Sequence, residues 1–236
     1  TDSEGTYFQR REQNLGGNMA TVDFSEHKWM LLIVDVQQGG INGLAEPHAT
    51  QFPRNVRHFA DHLWNRHGVA AAVIAQHPSP DVDILSRKAA LDMCGLDVLN
   101  VRPHEKLFIK QQDNAFRNGK LERALRADEI TGVIIAGMNT SACVTASVLG
   151  ALRANFMCVV AHDLLADTTE PNNGSPDWHL HTLKREIEAV PPFGRSEAEK
   201  RTDNLHMVPS SQILMQLPIS PRHPQSPTRT GTYDCA

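Results

Sequence analysis

Short apolar runs alternate along this chain with segments whose apolar residues fall at helical spacing, and that alternation constrains the fold more than any other feature. WMLLIVDV (29–36), VAAAVIAQ (69–76), LFIK (107–110), EITGVIIAG (129–137) and FMCVVAHD (156–163) are too short and too β-branched for buried helices, and they lack the polar alternation of half-exposed strands. Between them, Val56, Phe59, Ala60, Leu63 and Trp64 lie on one helical face, with Gly68 placed to cap it. Further helices are predicted over 119–127, 142–154 and 178–188. HMVPS (206–210) is predicted as a weak sixth strand and 211–217 as a closing helix. Such a pattern implies an α/β fold, a three-layer α/β/α sandwich around a central, mostly parallel six-stranded sheet.

The 236 residues suffice for one large domain that buries its own core without disulfides. The expected division is a polar leader over 1–27, flexible or added, a folded domain over 28–217, and a flexible tail over 218–236 rich in Pro, Ser, Thr and Arg. A net charge of −4 argues against a nucleic-acid partner. No apolar run is long enough to span a membrane. Cys94, Cys143, Cys158 and Cys235 form no CxxC pair, which suggests a reducing, cytoplasmic setting. No nucleotide-binding glycine motif occurs, and the scattered histidines form no metal set, so neither cofactor nor metal is expected.

In open α/β sheets, ligands bind beyond the carboxyl ends of the strands. Strand one ends at Asp35, strand three at Lys110, and strand four at a short turn leading to Cys143. A carboxylate beside a thiol can take its proton, and an ammonium stabilises the anion that results. A thiol at a helix N-terminus is also expected to lean toward thiolate. Each residue has a plainer reading: Asp35 as a helix cap, Lys110 as a solvated charge, Cys143 as a small core residue. Gln37 could orient a catalytic group or satisfy backbone. His162-Asp163 could complete a Cys-His-Asp set or orient a loop.

IVDVQ (33–37), IKQQDNAF (109–116) and AGMNTSACV (136–144), taken in this order and spacing, resemble the motifs of the isochorismatase-like cysteine hydrolases, which include nicotinamidases and N-carbamoylsarcosine amidohydrolase-like enzymes. The resemblance covers residues 29–217. It implies an Asp35, Lys110 and Cys143 catalytic triad and hydrolysis of an amide or ureido C–N bond through a cysteine thioester. It further implies a cis peptide between Met138 and Asn139, with the backbone N–H groups of Asn139 and Cys143 facing an oxyanion. It implies a small amide-type substrate, water as co-substrate, and a homo-oligomer, dimeric or larger. Two departures stand out. Gly40 occupies a place where many relatives have a pocket-lining aromatic residue, so Phe116 or Trp178 is expected to supply the wall. Gln76-His77-Pro78 replaces the nicotinamidase Asp-x-His metal motif, which disfavours nicotinamide and a catalytic metal. The alternatives are vinyl-ether hydrolysis of an isochorismate-type substrate, which needs no thiol, and a non-catalytic or redox-sensing protein on the same fold.

Overall fold

The computed structural model describes residues 22–79, 86–170, 174–189 and 204–220. Most of the expected leader and tail, and Cys235, lie outside the described residues. Six strands form one sheet: β1 Trp29–Val34, β2 Ala70–Gln76, β3 Lys106–Lys110, β4 Gly132–Met138, β5 Met157–Ala166 and β6 Leu205–Val208. Their spatial order is β3-β2-β1-β4-β5-β6, and every neighbouring pair is parallel. The expected "mostly parallel" sheet is therefore parallel throughout. The chain winds outward from β1 in one direction and from β4 in the other. The crevice between those strands is the switch point where ligands settle in such sheets.

Strand alternation sends successive side chains to opposite faces, and both faces are covered. Leu31 and Ile33 of β1 pack with Phe52, Val56 and Phe59 of α1 (His48–His62) and with Ile213 of α6 (Ser210–Gln216). Met30, Leu32 and Val34 face the other layer. That layer contains Leu121 and Leu125 of α3 (Lys120–Ala127), Val148 and Ala151 of α4 (Thr145–Arg153), and Leu183 of α5 (Pro176–Ala189). Each such aliphatic side chain contributes about 1.5–3 kcal/mol when fully buried. Gly68, at φ 67°, ends the α1 segment in a left-handed turn, as its position predicts.

The structure adds what local patterning did not reveal. A helical turn at Gln38–Ile41 follows Asp35, and α2 (Arg87–Met93) occupies a stretch that reads as loop. Strand β5 runs three residues past its expected end. Its register against β4 slips from Ile135↔Val160 to Gly137↔Leu165, an irregularity that carries Asp167 and Thr168 up to the switch point. Gly137 allows β1 and β4 to close there: at φ 139°, a Cβ on it would lie 2.1 Å from the Val34 carbonyl oxygen.

Candidate active site

Asp35 follows β1 directly, in a left-handed conformation at φ 52° that non-glycine residues seldom adopt. Its N–H donates to the Ile74 carbonyl and its carbonyl accepts from the Gln37 N–H, both at 2.8 Å. These bonds fix the turn at the mouth of β1. Asp35 does not cap the next helical turn, where Gln37 stands in the cap position. Instead its Oδ2 lies 2.7 Å from Lys110 Nζ. Lys110 is 4% exposed and reaches across the end of β2, so it is no solvated surface charge.

Cys143 arrives from β4 through a different device than the expected helix start. Thr140–Val144 form a single π-type turn that passes directly into α4. The Val144 N–H donates to the Asn139 carbonyl at 3.0 Å. The Met138–Asn139 peptide before it is cis, at the bond the motif resemblance singles out. The neighbourhood is pinned from β5. The Asp167 carboxylate accepts from the N–H and hydroxyl of Ser141 at 2.8 and 2.7 Å, and from those of Thr169 at 3.0 and 2.6 Å. Burial opposes its charge, but these donors outweigh burial and hold its carboxyl below the usual range. Asn139 Oδ1 accepts from Thr168 N and Oγ1, so its side chain is engaged. The Thr140 hydroxyl meets His179 Nδ1 of α5 at 2.8 Å.

Two residues that sequence reasoning passed over complete the cluster. Gln76 ends β2 in register with Lys110, so their side chains emerge together. Its Oε1 accepts from Lys110 Nζ at 2.9 Å and from the Cys143 thiol at 3.2 Å. The signal for it is its place, since it ends β2 as Lys110 ends β3. Asp113, inside the IKQQDNAF motif, brings Oδ1 to 3.5 Å from the same sulfur. Gln37 serves the backbone role open to it. Its amide clamps the Gln76 N–H and carbonyl at 2.8 and 3.1 Å and also donates to the Cys94 carbonyl. It thereby supports Gln76.

The remaining candidates fall further out. Phe116 is buried against Phe156, with ring centroids 5.9 Å apart, and shares its core cluster with Cys143. Trp178 is half-buried on α5, edge-on to His179 at 5.2 Å. The space beside Gly40 is filled by Met138, whose sulfur would lie 3.0 Å from a Cβ there. His162 sits within β5, not at its end, and Asp163 accepts from Ser210 N and Oγ at the start of α6. Asp163 thereby orients a helix. Among the described residues no group of three or more His, Cys, Asp or Glu is placed to hold a metal ion.

The electrostatics overturn one expectation. The helix start was expected to favour thiolate, but burial, followed by the adjacent Asp35 carboxylate, pushes the Cys143 thiol far above its usual range, and Lys110 offsets only part of this. Burial likewise raises the Asp35 carboxyl against the pull of Lys110 and the thiol. The thiol therefore leans to its neutral form beside the buried Asp35–Lys110 contact. Asp35 Oδ1 is buried and accepts no hydrogen bond among the described residues.

The topology and the cluster at its switch point define a doubly wound α/β protein with a thiol, an acid and a base gathered in its crevice. An isochorismatase domain model matches residues 29–185, and the chain belongs to the isochorismatase family. An uncharacterized isochorismatase family protein of Bacillus subtilis strain 168, YddQ, is 32% identical over 72 residues, 30% of this chain. The chain spans about two fifths (40%) of the length of that curated relative. N-carbamoylsarcosine amidase from Thermoplasma acidophilum shares the fold with a TM-score of 0.54 at 21% identity, over 78% of this chain and 96% of that one. Pyrazinamidase of Pyrococcus horikoshii, solved in complex with zinc, does so with a TM-score of 0.54 at 18% identity, over 77% and 99%. Among the described residues no helix is long and apolar enough to cross a membrane.

Proposed function

We propose that this protein is a cysteine hydrolase that cleaves an amide or ureido C–N bond of a small molecule through a thioester on Cys143. The carrying observation is the convergence of Asp35, Lys110 and Cys143 from three separate strand ends, all nearly buried, with the ion pair at 2.7 Å. A neutral thiol needs a base at the moment of attack, and the raised Asp35 carboxyl suits that task. As Sγ bonds to the substrate carbonyl carbon, its proton passes to Asp35. Lys110 keeps Asp35 ionised beforehand and steadies it afterwards. The backbone N–H groups of Asn139 and Cys143 are assigned to the developing oxyanion. Collapse of the tetrahedral adduct breaks the C–N bond, and Asp35 returns the proton to the departing ammonia or amine. Water then attacks the thioester with Asp35 again as base, restoring the thiol and releasing the acid.

The test is a panel of small amides, ureido acids and isochorismate, assayed for ammonia and pyruvate release with the wild type and Cys143→Ala. Ammonia release that falls about a thousandfold or more in the variant supports the thioester route. Pyruvate release that is equal in both proteins sinks it in favour of vinyl-ether chemistry.

A further inference from the structure

The charges around Cys143 do not cancel. Lys110 Nζ is taken up by Asp35 Oδ2 at 2.7 Å and by the neutral Gln76 amide at 2.9 Å. That pair sums to zero and is sealed from solvent. Asp113 is the third charged group at the sulfur, and it is exposed. No cation pairs with it among the described residues. Its influence already reaches inward, since its charge helps raise the Asp35 carboxyl.

The position of Asp113 is built, not incidental. Its carbonyl accepts from the Ser147 hydroxyl of α4 at 3.4 Å, and the same hydroxyl accepts from the Ala115 N–H at 3.2 Å. Ser147 is fully buried, and Phe116 N–H donates to Asn114 Oδ1 at 2.8 Å. The loop is thus tied to the helix that follows the Cys143 turn, with its one exposed carboxylate 3.5 Å from the thiol. A group that bonds to Cys143 Sγ comes close to that carboxylate, whose Oδ1 is 3.5 Å from the sulfur.

We infer that Asp113 sets substrate charge: the molecule cleaved at Cys143 carries a cationic group close to its scissile carbonyl, and anionic substrates are turned away. This rests on the hydrolase reading and narrows it. It disfavours the dicarboxylate isochorismate for a reason separate from the presence of the thiol. A unit charge about 5 Å from Asp113 alters an encounter about fourfold in a water-like medium, and the opposite effects on cation and anion multiply to about sixteenfold. The preference weakens as salt screens it.

Two methanethiosulfonates that share one reactive group, one bearing an aminoethyl cation and one a sulfonatoethyl anion, report this charge without any turnover. The Cys143 sulfur forms a disulfide and methanesulfinate leaves, and the rate is followed by the mass of the Cys143 peptide from the full chain. The cation-to-anion rate ratio is expected to fall about sixteenfold in Asp113→Asn and to invert in Asp113→Lys. A ratio unchanged in both variants overturns the inference. In parallel, 3-aminopropanamide and succinamate differ chiefly in end-group charge. The cationic amide is expected to show the higher kcat/KM in wild type, with the difference lost in Asp113→Asn. A faster succinamate overturns the charge rule while leaving thiol-dependent hydrolysis intact. Absence of Cys143-dependent turnover with every amide defeats the hydrolase reading, and the labelling ratio still decides the role of Asp113.

Discussion

The thiol proton of Cys143 faces more than one acceptor: Gln76 Oε1 at 3.2 Å, Asp113 Oδ1 at 3.5 Å, and the Asp35 carboxylate, which lies near enough to hold the thiol neutral. Only Asp35 is both buried and ion-paired, which makes it the acceptor suited to take the proton in reaction. This arrangement has a consequence opposite to a simple base-and-nucleophile picture at rest. Replacing Asp35 by Asn removes the negative charge that raises the thiol, so the thiol pKa falls and alkylation of Cys143 by iodoacetamide near neutral pH is expected to speed up, while turnover is lost. Slower alkylation in Asp35→Asn contradicts the assignment. The convergence of Asp35, Lys110 and Cys143 was legible in the sequence because each stands at or just beyond the carboxyl end of a strand, and those ends share an edge. The protonation of the thiol was not. Helix starts are local and readable, whereas burial and the approach of Asp35 depend on residues more than a hundred positions away.

At the scale of elements, the nucleophile turn is held by α5 and by the extended end of β5. His179 is the joint with α5: it is 1% exposed, its Nδ1 meets the Thr140 hydroxyl, and its Nε2 has no partner among the described residues. Burial pushes its pKa down to about 4. In the unfolded chain an imidazole titrates near its ordinary value of about 6.5. Between those values the unfolded state binds the proton and the folded state does not, so stability rises with pH in that window. The contribution is complete above about 6.5 and is lost as pH falls toward 4. Urea unfolding midpoints across this range are expected to show the slope, with a flatter curve in His179→Gln; parallel curves for the two proteins contradict it. The strands and most helices were legible from periodicity. The π turn at 140–144 was not, because it differs from an α-helix start only in a carbonyl one residue further back. Helix α2 was passed over despite its cap, Ser86, whose hydroxyl accepts from the Ala89 N–H at 3.3 Å.

Across the whole molecule, the layer remote from Cys143 has its own buried charges. Arg57 of α1 donates to both Glu105 oxygens at 3.0 and 2.6 Å, and Glu105 also accepts from the Arg102 N–H at 2.7 Å. Glu105 is 2% exposed and stands immediately before β3, the strand that delivers Lys110. Glu105→Ala leaves the buried Arg57 guanidinium only Asp61, at 3.0 Å, and is expected to cost about 1.5–3 kcal/mol in denaturant unfolding. A loss below about 1 kcal/mol would show that the pair is not holding β3 to α1. Family membership and the doubly wound topology support the proposal that the chemistry lies at the β1/β4 crevice. The central claim is that Cys143 there becomes acylated. Its most direct test is intact-mass analysis of the wild-type chain, acid-quenched while turning over an amide it hydrolyses. A mass increase equal to the substrate acyl group is expected, mapped to the peptide containing Cys143 and missing in Cys143→Ala. Steady product formation with no adduct, matched by undiminished turnover in Cys143→Ala, would contradict it.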